Sequence, residues 1–322
     1  MANQGSIEVS RAKALKKQSM LKMIRSALPI IGLIAVCVIF NILTKGNMWN
    51  SRKLILNQVY VVLISATGVF FIMTMGGLDF SQGSILGIAS IVVCKLSGVN
   101  MALAVLGGIL VGAAIGAFNG FFYVNRKIKS FIVTICTMFL FRGFIKYMTS
   151  NSPVAASIKV YDYDTVGIKL GITAVVLIVG FVAFRCTKFG TYLKAIGAGE
   201  KAAKFAGIRT DKMKFLIYVL SGAITGLAAF VNIVKNGSAT ANVGNQLETQ
   251  ILIALVLGGM PISGGAKVRF ENIIVGSLLY IVLNNGLTMM GLTTQAMQLI
   301  QGVIFLIFVA VFADRQSLSV IK

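Results

Sequence analysis

The sequence predicts an all-α, polytopic membrane protein with about ten transmembrane helices, some of them short or re-entrant. Of its 322 residues, 57% are apolar and only 12% are charged, whereas soluble domains average roughly 45–50% apolar and about 25% charged residues. A chain of this length cannot hide so much apolar surface inside a water-exposed globule. Ten helices of about 20 residues also fit the length of the chain. We therefore expect it to lie in a lipid bilayer.

Ten stretches almost free of charge define the predicted spans, because an ionisable side chain in mid-bilayer costs at least about 2.5 kcal/mol. They cover residues 28–44, 54–75, 82–98, 101–124, 131–148, 167–185, 214–234, 248–262, 272–290 and 296–313. The third and eighth are short and interrupted by glycine, which favours half-helices or re-entrant segments. The whole chain, residues 1–322, is thus predicted to be a single transmembrane domain.

Basic residues dominate the charge: 30 Lys and Arg against nine Asp and Glu give +21. In a membrane protein such an excess marks cytoplasmic loops rather than a nucleic-acid partner. With the N-terminus inside, six basic residues of the N-terminal segment 1–27, eight between Arg185 and Lys214 and seven elsewhere lie on the inner side, 21 in all. This predicts that both termini are cytoplasmic, although three basic residues of the first outer loop, Lys45, Arg52 and Lys53, oppose the trend.

The sequence lacks the residues that metal binding, redox chemistry and ATP hydrolysis usually require. The chain has no histidine, its four cysteines show no C-x-x-C spacing, and the phosphate-binding pattern G-x-x-x-x-G-K-[ST] is absent. We therefore expect no catalytic residues, no metal site, no cofactor and no ATPase activity of its own. Ion coupling also lacks buried carboxylates in mid-helix, since Asp79, Glu248 and Glu271 lie near span ends.

A few polar residues interrupt the apolar stretches. Asp79 and Ser81 precede the third span, where either side chain can cap the helix or contact a solute. The amides of Asn119 and of the Asn284–Asn285 pair can bind a polyhydroxylated solute, although such groups more often join helices to each other. Arg142, inside the fifth span, is expected to extend its side chain toward the outer interface.

The loop at residues 186–213 is rich in alanine, lysine and glycine, a composition that favours short helical pieces on the cytoplasmic face. Two interpretations are open on composition alone. The loop either fixes the topology by its charge or forms a surface for a partner protein.

Five segments resemble the membrane permeases of bacterial ABC importers for ribose, xylose, galactose and related monosaccharides. They are GGLDFSQGSILG from Gly76, NGFFYVNRKIKSFIVTICTMFLFRG from Asn119, GTYLKAIGAGEKAAKFAGI from Gly190, LVLGGMPISGG from Leu255 and NNGLTMMGL from Asn284. One departure is Ser130, where family members often have proline. Nucleoside permeases and permeases for sugar-like signal molecules share these segments, so the substrate stays open.

The resemblance implies a non-enzymatic subunit of the bacterial inner membrane that imports a monosaccharide by alternating access. Its expected partners are a second permease subunit, in a homodimer or a heterodimer, a cytoplasmic ATPase and an external solute-binding protein. The ATPase is expected to dock on a coupling loop that includes Gly197, Glu200, Ala202, Ala203 and Gly207, with Glu200 paired to a basic group of the partner. The expected translocation path comprises Asp79, Ser81, Asn119, Thr134, Asn284 and Asn285. A standalone secondary carrier is the alternative from another class.

Overall fold

A computed structural model of the chain describes residues 27–50 and 52–312. The basic N-terminal segment predicted for residues 1–27 lies outside the described residues, apart from Ala27. The described helices are α1 (Ala27–Leu43), α2 (Asn47–Asn50), α3 (Arg52–Thr74), α4 (Gln82–Ser97), α5 (Met101–Asn125), α6 (Ser130–Met148), α7 (Val166–Cys186), α8 (Lys188–Ala198), α9 (Glu200–Phe205), α10 (Thr210–Asn236), α11 (Leu247–Leu257), α12 (Glu271–Met289) and α13 (Thr294–Phe312). A 3₁₀ helix (Ile158–Tyr163) and two short strands, β1 (Val154–Ala155) and β2 (Ser238–Ala239), complete these elements.

Each predicted span coincides with one of these helices, to within five residues at either end, which confirms the all-α polytopic fold. Six helices, α3, α5, α6, α7, α10 and α12, are long and apolar enough to cross a membrane. The shortest helices among the ten are α4 with 16 residues and α11 with 11. At 1.5 Å per residue they are about 24 and 17 Å long, against a hydrocarbon core of about 30 Å. Ten full crossings therefore stay a prediction.

Small polar side chains and glycine set several helix ends. The Asn100 side chain accepts a hydrogen bond from the Ala102 amide at 2.7 Å and caps α5. Thr165 and Thr187 cap α7 and α8 in the same way. At the other end of a helix, Gly237 adopts a left-handed conformation and terminates α10. These residues satisfy backbone groups that a helix leaves without internal partners.

A close helix contact joins α5 and α10 through glycines spaced four residues apart. A Cβ atom placed on Gly112 would lie 2.1 Å from the carbonyl oxygen of Gly222, and one on Gly108 would lie 2.9 Å from that of Gly226. Further along the pair, Gly116 meets the backbone of Tyr218 in the same way. Small residues at this spacing let helix backbones approach closely in lipid, where packing replaces the hydrophobic effect.

The two ends of the bundle carry different structures. At one end β1 pairs antiparallel with β2, Val154 opposite Ala239, and so ties the α6–α7 connection to the end of α10. At the other end the α8–α9 pair packs beside the connection between α11 and α12. There the Gly265 amide donates to the Thr74 carbonyl at 3.0 Å. We call these the strand end and the α8–α9 end.

Burial divides the helices into an inner and an outer group. Most residues in the apolar stretches of α3, α10 and α12 are buried, whereas α5, α6 and α7 present most of theirs on the outside. The exposed residues of this outer group are large and apolar, such as Leu110, Phe139 and Val179. Lipid or a second membrane subunit must cover such a surface.

We predict that Gly112→Ala lowers the thermal unfolding midpoint of the detergent-solubilised protein. The added methyl group overlaps the backbone of α10, and overpacking of this kind costs about 1–3 kcal/mol. The control is Gly171→Ala in α7, because a Cβ on Gly171 meets nothing within 4 Å. An unchanged midpoint for Gly112→Ala, with the control also unchanged, would contradict the close contact of α5 and α10.

Candidate functional site

Asp79 lies at the start of α4, in a turn that the sequence builds from glycine. Gly76, with φ of 80°, ends α3 and redirects the chain inward. Asp79 is 1% exposed, and its Oδ1 accepts hydrogen bonds from the Ser81 amide at 2.8 Å and the Ser81 hydroxyl at 2.6 Å. Its Oδ2 accepts from Gln82 Nε2 at 2.7 Å. The buried carboxylate is therefore held by groups of its own turn.

The same cluster extends to α5 and α6. Asn119 Nδ2 donates to the Ser81 hydroxyl at 2.8 Å, and the Thr137 hydroxyl donates to Asn119 Oδ1 at 2.7 Å. Since the Ser81 hydroxyl donates to Asp79, the donors and acceptors run in one direction from Thr137 to the carboxylate. Neutral amides and hydroxyls thus satisfy the oxygen atoms of the buried Asp79 carboxyl group.

On its other side the cluster reaches α10. Gln82 Nε2 also lies 3.1 Å from the Ser221 hydroxyl, and the Thr225 hydroxyl donates to Gln82 Oε1. We call the whole set the buried polar network. It consists of Asp79, Ser81, Gln82, Asn119, Thr137, Ser221 and Thr225. Every polar side chain in it has a partner, so a solute gains access to these groups only when some of the hydrogen bonds open.

Thr134 lies beside this network and supports the Asp79 turn. Its hydroxyl accepts from the Phe80 amide at 3.1 Å, and Ser130, one turn earlier in α6, accepts from the Leu78 amide at 3.2 Å. A proline at position 130 could not accept this hydrogen bond with its side chain. The departure from the family pattern at Ser130 therefore adds a contact between α6 and the turn.

Asn284 and Asn285 belong to a separate cluster. Asn285 Nδ2 donates to Gln58 Oε1 in α3 at 2.9 Å, and Gln301 in α13 donates to Asn284 Oδ1 at 2.8 Å. These bonds join α12 to α3 and α13 and do not reach the buried polar network. The structure thus brings together four of the six residues predicted for the path and places the other two elsewhere.

The expectation for Arg142 is wrong, because its side chain turns into the bundle. Arg142 donates to the carbonyl oxygens of Val243, at 2.8 Å, and Gly244, and its Nη2 lies 3.5 Å from Glu248 Oε2. The side chains of both charged residues are at most 14% exposed. A buried carboxylate at the first turn of α11 attracts the guanidinium more strongly than a distant interface does.

The five residues predicted for coupling divide into two groups. Glu200, Ala202 and Gly207 are exposed on or just after α9. Ala203 is buried, and a Cβ on Gly197 would lie 2.1 Å from the Thr74 carbonyl oxygen. These two residues hold the α8–α9 pair against the bundle, and only the first three are accessible to another protein.

Phe205 is a surface residue that the sequence did not single out. It is the last residue of α9 and is 92% exposed, next to the exposed Ala202 and Ala206. From the sequence alone, a single phenylalanine in a short helix would be assigned to the core. The orientation of α9 in the structure shows that its ring is exposed instead. The ring is therefore accessible to another protein at the α8–α9 end.

Glu200 forms an ion pair within its own chain, and its pairing with a basic group of a partner stays a prediction. Its carboxylate accepts from Lys214 Nζ at the start of α10, and the same ammonium lies 4.9 Å from the centre of the Tyr123 ring. The ion pair and the cation–π contact link α9 to both α10 and α5.

Within residues 27–50 and 52–312 no cluster of three His, Cys, Asp or Glu side chains is arranged for a metal ion.

A polytopic helical bundle with buried neutral polar groups and an exposed basic helix pair is the architecture of a membrane permease. The chain belongs to the family described as "Branched-chain amino acid transport system / permease component", whose model matches residues 52–309. The family is the permease component of ABC importers, a class of multi-pass inner-membrane proteins without an ATPase site of their own.

Similar proteins named as sugar permeases confirm the resemblance to the permeases of monosaccharide importers. The chain is 31% identical to the ribose import permease protein RbsC of Escherichia coli (strain K12), over 86% of this chain and 88% of that protein. It is 32% identical to the RbsC protein of Bacillus subtilis (strain 168), over 90% and 92%. The D-allose transport system permease protein AlsC of Escherichia coli (strain K12) is 30% identical over 83% of each chain. No solved structure matches the chain significantly.

We predict that Asn119→Leu destabilises the protein by about 1–3 kcal/mol, because it removes the acceptor of the buried Thr137 hydroxyl and one of the two hydrogen bonds of the Ser81 hydroxyl. The measurement is thermal or denaturant unfolding in detergent. Thr137→Val is the companion variant, and it should cost much less in the Asn119→Leu background than alone. Fully additive losses would show that the two side chains do not interact.

Proposed function

We propose that the chain is the membrane-spanning subunit of an ATP-driven importer that takes up a monosaccharide, ribose or a related simple sugar. A separate ATPase drives alternating access, and an external binding protein delivers the sugar. The permease acts as a homodimer. Relatives named for ribose, D-allose and fructose support a monosaccharide substrate. The coupling loop 186–213 and the basic segment 1–27 are assigned to the cytoplasm, together with both termini.

The observation that carries the proposal is the exposed surface of α9 at the α8–α9 end. Glu200, Ala202, Phe205 and Gly207 lie on it, while the ion pair of Glu200 with Lys214 anchors the same helix to α10. The surface is therefore accessible and also joined to the membrane helices. A partner that moves α9 therefore acts directly on the N-terminal turns of α10, where Lys214 lies.

The buried polar network supports transport of a sugar rather than of an ion. Its hydroxyls and amides are the groups that hydrogen-bond to sugar hydroxyls, and they can exchange their internal partners for those of the solute. Glu248, the second buried carboxylate, is neutralised by Arg142, and Asp79 accepts three hydrogen bonds from Ser81 and Gln82. Neither carboxylate is open to a coupling ion in this conformation.

The direct experiment is uptake into proteoliposomes that contain the permease, its cognate ATPase and its solute-binding protein. We expect labelled monosaccharide to accumulate only when ATP is present on the side of the membrane where the ATPase is bound. An ion gradient alone should give no accumulation. A panel of pentoses, hexoses, nucleosides and sugar-like signal molecules identifies the substrate. Uphill uptake by the permease without an ATPase would establish a standalone carrier and overturn the proposal.

We predict that Phe205→Ser leaves the isolated permease stable but strongly reduces substrate-stimulated ATPase activity. The ring contributes little to folding because it is exposed, yet loss of a central aromatic anchor costs about 2 kcal/mol or more of binding. Co-purification of the ATPase measures docking, and the unfolding midpoint measures the fold. Ile128→Ser, in the α5–α6 connection at the same end, is the matched control. Normal docking and stimulation in Phe205→Ser would remove α9 from the interface.

A further inference from the structure

A cavity of about 550 Å³ opens at the α8–α9 end of the bundle, apart from the buried polar network and from the exposed face of α9. Its walls come from the first turn of α1, the last turn of α7, α8, and the segment from Val268 to Asn272 that leads into α12. Several helices that run through the bundle begin or end here. A cavity at this level lies where lipid headgroups meet the hydrocarbon core.

The cavity is positively charged. Arg185, Lys194 and Arg269 line it, and Glu271 is the one carboxylate among the described lining residues, so basic side chains outnumber acidic ones there. Arg185 pairs with Glu271 at 3.1 Å, but both side chains are more than half exposed, and an ion pair of this kind contributes little. Lys194 Nζ lies 4.6 Å from the centre of the Phe184 ring, which holds the ammonium at the wall.

One side of the cavity is apolar and continues onto the outer surface of the bundle. Pro29, Ile30 and Phe184 form this wall. Ile30 is about half exposed, and Ile34 continues its apolar surface one turn along α1. On α7, Val182 lies one turn before Arg185 and is also exposed. The cavity therefore joins a basic end to an apolar track that leads toward the middle of the membrane.

We propose that this cavity binds the phosphate of an anionic phospholipid, with the acyl chains lying along α1 and α7. Arginine and lysine provide the donors that a phosphate group requires, and anionic lipids are attracted to basic cavities between transmembrane helices. A free phosphate ion could bind the same basic side chains, but it has no acyl chains to cover the apolar track. The lipid joins α1, α7, α8 and α12 at the level of the headgroups. This inference goes beyond the transport function and does not depend on it.

The test is a thermal unfolding titration of the purified permease in its assembled transporter. We expect short-chain phosphatidylglycerol to raise the unfolding midpoint, and short-chain phosphatidylcholine and inorganic phosphate at equal concentration to leave it nearly unchanged. An equal shift with phosphatidylcholine would show non-specific apolar binding and overturn the proposal. An equal shift with inorganic phosphate would overturn the lipid in favour of a free anion.

Variants locate the site. The double variant Lys194→Gln/Arg269→Gln should weaken phosphatidylglycerol binding about 30-fold, since each basic residue beside an anionic lipid contributes roughly a factor of five to six. Lys129→Gln, an exposed lysine at the start of α6, is the matched control and should bind as the parent does. Full binding by the double variant would place the lipid elsewhere and contradict the proposal.

A second measurement needs no substitution, so it can locate the lipid even if the double variant does not fold. Phosphatidylglycerol with a photoreactive headgroup is added to the unmodified transporter, and the labelled peptides are mapped by mass spectrometry. Labelling concentrated in residues 185–194 and 268–275 supports the site, and labelling spread evenly over both ends of the bundle contradicts it.

Discussion

The need to satisfy helix ends inside a bundle that has no bulk water shapes much of this structure. α4 and α11 both begin inside the bundle, where Gln82 and Glu248 are buried. The first amides of a helix have no internal partners, and leaving them bare in a membrane costs several kcal/mol each. Polar residues gather at these two starts: Asp79 accepts from the Ser81 amide just before α4, and Arg142 donates to the carbonyl oxygens of Val243 and Gly244 before α11 and lies beside Glu248.

Gly83 brings the two starts together. A Cβ on this residue would lie 2.1 Å from Glu248 Oε2 and 2.2 Å from the carbonyl oxygen of Gly244. Gly244 itself has φ of 66°, a conformation that favours glycine. Gly83 thus leaves room for the Gly244 backbone and for the Glu248 side chain, and the buried polar network and the Arg142–Glu248 pair become neighbours along α4.

The sequence predicted the helices well because the scarcity of charge is a local property. The ten apolar stretches are visible in windows of about 20 residues, and helices form where the stretches lie. The partners of the polar residues are not local. Gln82 contacts Thr225, which is 143 positions away, and Arg142 contacts Glu248 at a separation of 106 positions. Neither pairing leaves a periodic signal, so the sequence suggested Asp79, Ser81 and Asn119 but not their more distant partners Thr137, Ser221 and Thr225.

The glycine contact between α5 and α10 brings both helices to the buried polar network. Their backbones touch at Gly108, Gly112 and Gly116 of α5, where no side chain separates them. Lys214, held by Glu200 of α9, lies two turns before Ser221 on α10, and Asn119 lies on the paired helix α5. Asn119 of α5 and Ser221 and Thr225 of α10 therefore contact the network from two helices that pack against each other, whereas Asp79, Ser81 and Gln82 belong to the start of α4. The ion pair of Glu200 with Lys214 thus joins α9 to the same helix that holds Ser221 and Thr225.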